Sequence, residues 1–432
     1  MQFLNNILEF WSLNDPNVAW VLAGAMLLGA GAGVIGCFAF LRKRSLTGDA
    51  LAHAALPGVT SAFLLVGSRN PYVILCGAMT SCFIGYLFIE YLINKTRIKE
   101  DSAFAIVLSL FFSVGIFQLT YIQKLGNASQ AGLDKLLFGQ AASLVREDVI
   151  HLGGIAIGLL LIVAIFFRNL KLVSFDRDFA QAIGLPVKFY EMLLAIALVV
   201  SVVIGLQLVG VVLMAAIMLT PPASARYWTN DLKKMLIVSG SFGAMSGIIG
   251  ANVSYLAPRM PTGPWMVIAS SLIFLISIIF APARGVLSRY MARRALSRRI
   301  NEENLLRTIY KIGESTGVRL PTVDRASILT FRNMKTSDLD ESIERLVETK
   351  LLGNIVDKIQ LTEAGFKKAQ EITTRHRLWE LYLSQRINLP PDHVHADAEE
   401  IEHMLTPEIE KLLRAELGDQ TVDPHGKMIP KV

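Results

Sequence analysis

The sequence predicts an all-α polytopic membrane protein with about nine transmembrane crossings, followed by a cytoplasmic winged-helix domain and a further helical domain. Of the 432 residues, 53% are hydrophobic and only 18% are charged, whereas charged residues make up about a quarter of a soluble domain. The mean hydropathy is +0.46, and apolar stretches follow one another as far as about residue 280. This composition argues against a secreted enzyme, a disordered protein and a simple DNA-binding domain.

The charge changes sign along the chain, at about residue 300. Residues 1–300 contain 24 Lys and Arg against 13 Asp and Glu, and the remainder contains 18 against 23. The first part is therefore basic and apolar, and the second is acidic and has the composition of a soluble protein.

Seven apolar stretches have the length of a bilayer-spanning helix, about 17 to 25 residues. They are 18–41, 50–67, 72–93, 103–122, 149–167, 235–256 and 265–282. An eighth stretch, 189–222, is too long for one crossing. All basic clusters fall on the cytoplasmic side only if this stretch crosses twice, with a turn near Gly205-Leu206-Gln207. The prediction is nine crossings, with the N-terminus outside and the C-terminus inside.

Small residues crowd the first span, which contains Gly24, Gly29, Gly31, Gly33 and Gly36. Small side chains let transmembrane helices approach closely. We therefore expect this span to pack tightly against a neighbouring helix.

An acid and a histidine lie at the start of the second span, where ionisable residues are rare and costly. Asp49 and His53 are four residues apart, so on a helix they share one face, about a turn apart. A carboxylate oxygen and an imidazole nitrogen form half of a divalent transition-metal site. A second copy of the chain would complete it. The alternative is that the two side chains only hydrogen-bond to each other within the helix, and the spacing alone does not decide between the two interpretations.

The segment Gly48-Asp49-Ala50-Leu51-Ala52-His53-Ala54-Ala55-Leu56-Pro57-Gly58-Val59 resembles the signature of metal-ion ABC transporter permeases, the membrane subunits of bacterial manganese, zinc and iron uptake systems. The resemblance continues through residues 174–186 and 209–225 and covers about 15–285. It implies that Asp49 and His53 line the metal path. It also implies a multi-pass location in the bacterial cytoplasmic membrane, an extracytoplasmic metal-binding protein that delivers the ion, and a second permease copy or paralogue.

The chain has no Gly-x-x-x-x-Gly-Lys-Ser/Thr phosphate loop, so it is not expected to be an enzyme, and ATP hydrolysis is expected on a separate ATPase subunit. Two cytoplasmic loops are the expected contact surfaces for that subunit. One is 174–187, and the other is Thr220–Met235 with Arg226, Lys233 and Lys234. The alternative is that these basic residues only reflect the usual excess of positive charge in cytoplasmic loops and do not contact the ATPase.

The remaining chain predicts a linker and two soluble domains. The basic stretch after the last span is expected to fix the topology and to touch anionic lipid headgroups. Three helices and a short β-ribbon, from Asn304 to about Thr374, indicate a winged helix-turn-helix. The predicted division is 1–285 permease domain, 286–300 juxtamembrane linker, 301–374 winged helix-turn-helix, and 375–432 helical metal-binding and dimerisation domain.

Six potential metal ligands lie in the last of these domains. They are His376 and Glu380 at i, i+4, and His395, Glu399, Glu402 and His403 at i, i+4, i+7 and i+8. Nitrogen and oxygen ligands without a thiolate suit Mn²⁺, Fe²⁺ or Zn²⁺, and the oxygen-rich set favours Mn²⁺. The alternative is a solvated Glu/His surface.

Residues 301–432 resemble metalloregulators of the diphtheria-toxin-repressor type, through Arg375–Leu381, Val394–His403 and Asp423–Gly426. The resemblance implies one metal site at His376, Glu380 and His395 and a second that includes Glu399, Glu402 and His403. The first helix of that family donates a ligand near Asn304, and its manganese-responsive branch has a second acid near Arg307. Neither residue matches, so the second site is expected to be incomplete.

DNA binding by this tail is not expected. A recognition helix meets phosphates with basic or neutral polar residues, whereas here its N-terminal end carries Asp338, Asp340 and Glu341. The favoured function is that of the permease subunit of an ATP-driven importer of divalent metal ions. Mn²⁺ is the favoured ion, and the tail is expected to sense the metal. The alternative is a membrane-tethered or releasable metal-dependent transcriptional repressor.

Overall fold

The computed structural model describes residues 8–44, 46–67, 70–124, 139, 146–256, 260–332, 334–355, 358–386, 407–417 and 422–430. The chain divides into two compact units, Met1–Arg289 and Tyr290–Val432, and each is described by itself below.

The first unit is built from helices. In chain order they are α1 (Pro16–Leu41), α2 (Thr47–Val66), α3 (Pro71–Lys95), α4 (Glu100–Lys124), α5 (Arg146–Phe175), α6 (Arg177–Ala182), α7 (Val187–Val209), α8 (Val211–Trp228), α9 (Leu232–Leu256) and α10 (Thr262–Phe280). Local signals fix several ends. The Asp15 carboxylate, for example, accepts a hydrogen bond from the backbone N–H of Asn17 at 2.9 Å, and Pro16 opens α1.

Eight of the described helices are long and apolar enough to cross a membrane, namely α1 to α5, α7, α9 and α10. They coincide with the seven single spans and with the first half of the 189–222 stretch, which confirms a polytopic membrane protein. The second half forms α8, which has 18 residues and contains Pro221 and Pro222. It is not among the eight, so nine crossings and their orientation stay predictions.

The 189–222 stretch does form two helices, but the predicted position of the turn is wrong. Helix α7 continues through Gly205 to Val209, and the break comes at Gly210, with φ 87° and ψ 169°. Only glycine adopts this region readily, so the chain turns there. Gly205 instead serves packing, because a Cβ at that position would lie 2.2 Å from the sulfur of Met214.

Glycines let α1 and α9 approach to backbone contact, as the crowding of small residues predicts. A Cβ on Gly29 would lie 2.3 Å from the carbonyl oxygen of Gly243, and a Cβ on Gly243 would lie 2.0 Å from that of Gly29. One turn away, the Ser239 hydroxyl donates to the carbonyl of Gly33 at 2.7 Å. Any side chain at these glycines would push two backbones apart.

We therefore expect Gly243→Ala to lower the stability of the first unit by about 1–3 kcal/mol, because the clash is with backbone that cannot rotate away. Gly158→Ala in α5 is the matched control, since a Cβ there meets nothing within 4 Å. Thermal unfolding of the two purified variants in the same detergent measures the difference. Equal melting temperatures would contradict the close approach of α1 and α9.

The remaining elements form the predicted winged helix-turn-helix and the helical region after it. They are α11 (Val286–Thr316), β1 (Thr322–Val323), α12 (Arg325–Phe331), α13 (Thr336–Glu348), β2 (Leu352–Ile355), β3 (Lys358–Leu361), α14 (Glu363–Arg386) and α15 (Pro407–Leu417). The strands form an antiparallel sheet in the order β1-β3-β2, with Leu352 opposite Leu361. Their inward side chains meet Ile309, Ile328 and Leu339 in one core.

The basic segment 286–300, predicted as a linker, is helical. It continues without a break into the first helix of the winged domain, so both belong to α11. No Pro or Gly lies between Val286 and Ile312 to interrupt the helix.

Candidate functional site

Asp49 and His53 lie on the first two turns of α2, as the spacing predicts. His53 Nε2 and Asp49 Oδ1 are 3.5 Å apart, and the two side chains are 15% and 31% exposed. This distance exceeds that of a well-formed hydrogen bond. The two groups are therefore close enough to share an ion without being tightly bound to each other.

The second ring nitrogen of His53 is buried and receives no hydrogen bond from any described residue. The ring packs edge-on against Phe112 of α4, with the centroids 4.8 Å apart. Burying a polar atom without a partner is costly, and most buried polar atoms in proteins have one. The aromatic contact holds the imidazole in place, while the ring retains an unused hydrogen-bonding position.

A proline adds an oxygen to this part of α2. Pro57 lies inside the helix and has no N–H group, so the carbonyl oxygen of His53, four residues earlier, does not receive the usual helical hydrogen bond. Carboxylate oxygen, imidazole nitrogen and carbonyl oxygen are ligand atoms that Mn²⁺, Fe²⁺ and Zn²⁺ accept. This one stretch of α2 therefore presents three kinds of potential metal ligand.

A single chain does not complete a site there. Among the described residues, no group of three or more His, Cys, Asp and Glu side chains could hold a metal ion. The pair supplies two side chains, whereas structural and catalytic transition-metal sites use about four to six donors. The pair is also partly exposed, so further ligands can approach it from outside this chain.

Two polar residues on the same face of α2 were not singled out from the sequence. Thr60 and Ser61 follow His53 by two turns, at i+7 and i+8, and both contact Gln118 of α4. The Thr60 hydroxyl donates to Gln118 Oε1 at 2.5 Å, and Gln118 Nε2 donates to Ser61 at 3.1 Å. The i+7 and i+8 spacing was the available signal. The hydrogen bonds join α2 to α4 along the face that carries His53.

Glu90, another acid within a predicted span, serves structure instead. It forms an ion pair with Arg44, and its side chain accepts a hydrogen bond from Asn94 at 2.9 Å. Arg44 also contacts Glu100 at 3.4 Å. These pairs tie the loop before α2 to α3 and α4.

The three basic residues predicted to contact an ATPase do not share one surface environment. Lys233 and Lys234 are exposed at the start of α9. The backbone N–H of Lys234 donates to Asp231 at 3.0 Å and lowers the pKa of that carboxyl. Arg226 is half-buried near the end of α8 and lines a cavity.

The other predicted contact loop contains the short helix α6. Asp176 caps it by accepting a hydrogen bond from the N–H of Phe179 at 2.9 Å. Phe179 and Ile183 are more than half exposed, so two large apolar side chains of this predicted contact loop are accessible.

In the tail, His376 and Glu380 are buried together with Arg307. Arg307 lies 2.8 Å from His376 Nδ1, and His376 Nε2 lies 2.9 Å from Glu380 Oε1. A guanidinium can only donate, so Nδ1 accepts and the ring proton sits on Nε2, which donates to Glu380. The imidazole thus bridges a cation and a carboxylate.

A metal at His376 and Glu380 would have to displace the proton on Nε2, and the metal-binding role predicted for these two residues stays a prediction. Arg307 supplies the positive charge that a metal would bring. Asn304, three residues earlier, adds a buried amide oxygen without a hydrogen bond. The other predicted tail ligands, His395, Glu399, Glu402 and His403, lie outside the described residues.

Next to this cluster, Arg377 joins three segments of the second unit. It donates to both carboxylate oxygens of Glu314, at 2.9 and 2.6 Å, and to the carbonyl of Met428 at 2.6 Å. Burial would lower the pKa of Arg377, but the hydrogen bonds and charge of Glu314 outweigh it and raise the pKa. The guanidinium therefore stays charged and anchors the C-terminal residues against α14.

Two family models match the chain. The ABC 3 transport family matches residues 14–281, and the metal binding and dimerisation domain of iron dependent repressors matches residues 362–431.

Individual proteins are similar over the same regions. The chain is 43% identical to the manganese transport system membrane protein MntC of Bacillus subtilis, over 87% of this chain and 86% of that protein. It is 41% identical to the zinc transport system membrane protein TroC of Treponema pallidum, over 66% of this chain and 95% of that protein. Among solved structures, PsaBC from Streptococcus pneumoniae in complex with Fab matches with a TM-score of 0.58 and 33% identity, over 67% of this chain and 99% of that chain.

Proposed function

The chain belongs to the ABC 3 transport family and is a multi-pass membrane permease, and from this premise we propose that it imports a divalent transition-metal ion, with manganese preferred. The Asp49–His53 pair carries the proposal. Its 3.5 Å separation and the unsatisfied Nδ1 of His53 leave both groups available to an ion. The manganese transporter of Bacillus subtilis, 43% identical over most of both chains, supports the choice of metal.

We propose that two permease chains supply the complete set of ligands. Each chain contributes one acid and one imidazole from α2, and a two-fold axis brings four side chains together. Such a site lies between protomers, so a relative movement of the two chains forms or opens it. The second chain is either another copy or a paralogue.

The energy comes from a separate ATPase subunit in this proposal, since the chain has no phosphate loop. The exposed Phe179 and Ile183 of the α6 loop support docking there, and the exposed Lys233 and Lys234 of the second predicted contact loop add positive charge. An extracytoplasmic binding protein delivers the metal from the opposite side.

We propose further that the tail acts on the permease, not on DNA. Arg325 pairs with Asp340 at 3.1 Å, and Arg298 pairs with Glu341 at 2.7 Å. Two arginines beside the start of α13 are thus paired with carboxylates of that helix, which reduces the positive charge that they offer to phosphates. A recognition helix that begins with acidic side chains suits a docking or regulatory module.

Uptake by the reconstituted transporter tests the choice of cargo. We expect the chain, combined with its ATPase in proteoliposomes, to accumulate radioactive Mn²⁺ only when ATP is present. Zn²⁺ and Fe²⁺ should compete, whereas excess Mg²⁺ or Ca²⁺ should not, because these hard ions prefer oxygen and bind imidazole poorly. Accumulation of Zn²⁺ with no uptake of Mn²⁺ would overturn the preference, and no ATP-dependent accumulation of either would overturn the proposal.

A further inference from the structure

A cavity of about 450 Å³ lies at the end of α8 and contains three arginines. Arg226, Arg284 and Arg289 line it, and none of its lining residues is acidic. Arg226 and Arg284 are close enough to repel each other. The acceptor described for the Arg284 side chain is a neutral amide, since its Nε donates to Asn230 Oδ1 at 3.0 Å. The cavity therefore has unbalanced positive charge.

The other walls of the cavity are aromatic and come from the ends of predicted spans. Phe40 is the penultimate residue of α1, Phe274 lies in the last two turns of α10, and Tyr227 packs edge-on against Phe274 with centroids 6.0 Å apart. The cavity thus joins a charged region to an apolar one within a few ångströms.

Neighbouring residues place this cavity at the level of a membrane surface. Trp228 is partly exposed, and its indole N–H donates to the hydroxyl of Ser277 at 2.9 Å. Tryptophan and tyrosine collect at membrane interfaces, where one end of the ring is apolar and the other polar. Val286 and Leu287, at the start of α11, are also exposed. In the predicted orientation this is the cytoplasmic surface.

We propose that this cavity binds the headgroup of an anionic phospholipid of the cytoplasmic leaflet. The phosphate accepts hydrogen bonds from Arg226, Arg284 and Arg289, since guanidinium groups match phosphate oxygens in geometry and charge. The glycerol and the upper acyl chain lie along Phe40 and Phe274. Binding removes the repulsion between Arg226 and Arg284, and it requires both an anionic group and an apolar chain.

This assignment separates Arg226 from the two basic residues that follow it in the same loop. Lys233 and Lys234 are exposed and do not line the cavity. Arg226 is half-buried and Arg284 and Arg289 are exposed, so what distinguishes the arginines from the lysines is that only the arginines line the cavity beside Phe40 and Phe274. The lysines are therefore a matched control for the arginines, and the lipid site is independent of the identity of the transported metal.

The test compares the lipids that copurify with the full chain. Protein extracted from membranes containing phosphatidylglycerol and phosphatidylethanolamine is analysed by lipid extraction and mass spectrometry. We expect R226Q/R284Q/R289Q to lose most of the bound phosphatidylglycerol, with each lost charge weakening binding about fivefold. K233Q/K234Q should keep the wild-type amount. Equal retention by both variants, or equal loss from both, would overturn the proposal.

A measurement on the unaltered chain covers the case in which the triple variant does not fold. Thermal stability in nanodiscs of phosphatidylglycerol is expected to exceed that in nanodiscs of phosphatidylcholine, with glycerol phosphate in solution giving no increase. Equal stability in the two lipids would overturn the assignment. So would stabilisation by inorganic phosphate alone, which indicates a free anion. Loss of the ATPase from the triple variant with full retention of lipid would instead make the cavity a protein-docking site.

Discussion

Alanine at Asp49 or His53 is expected to reduce metal uptake by more than about a hundredfold. Even residues that only support a ligand cost about 10- to 100-fold in metal affinity when removed, and these two are proposed to touch the ion. Asp49→Asn should fail similarly, because it keeps the size of the side chain and removes the charge. The measurement is ATP-dependent uptake of Mn²⁺ by cells or proteoliposomes that contain equal amounts of each variant.

Matched controls exist for both positions. Asp101, in the first turn of α4, and His151, in α5, are exposed residues of the same types in the same unit. Asp101→Ala and His151→Ala should transport at the wild-type rate. Unchanged uptake by Asp49→Ala and His53→Ala would remove both residues from the path and, with them, the proposed route of the metal.

The second large effect is expected at Arg307 in the tail. Arg307→Leu should lower the free energy of unfolding of the second unit by about 3–5 kcal/mol, since removing one member of a buried charged cluster leaves the others uncompensated. Arg307 donates to His376, which in turn contacts Glu380, and all three side chains are buried. Proteolysis of the full chain at increasing urea concentration, with the tail fragments followed on a gel, measures this loss.

Arg319→Leu provides the comparison. Arg319 contacts Glu363 at 3.0 Å, but the two side chains are 69% and 67% exposed, so its removal should cost less than about 1 kcal/mol. Similar losses for the two variants would contradict the structural role of the buried cluster. A small loss of stability for Arg307→Leu would also favour His376 and Glu380 as metal ligands over a purely structural role.

The contact between Arg307 and His376 changes how the tail is understood. The match to iron dependent repressors covers residues 362–431 and, alone, suggests a metal site at His376 and Glu380. The structure places the guanidinium of Arg307 2.8 Å from Nδ1 of that histidine. The predicted metal ligand His376 therefore already contacts a positive charge that belongs to the chain.

Local features were predictable because a helix fixes the relation between nearby residues. The four-residue spacing of Asp49 and His53 was sufficient to place them on one face, and the apolar stretches were sufficient to locate the eight helices that can cross a membrane. The helix pattern and ribbon of the winged domain followed in the same way. The turn at Gly210 was missed, since the 189–222 stretch contains both Gly205 and Gly210 and spacing does not reveal which of the two adopts positive φ.

The sequence by itself determined the membrane class, the acid–imidazole pair and the family, because these depend on composition and on residues a few positions apart. Only the tertiary structure decided that Arg307 bonds a histidine 69 positions away, that Gln118 joins Thr60 across two helices, and that Arg226 enters a cavity while Lys233 and Lys234 do not. Such contacts arise from the packing of whole helices, in which many weak apolar contacts together determine which helices become neighbours. The spacing of residues along the chain does not reveal which helices these are.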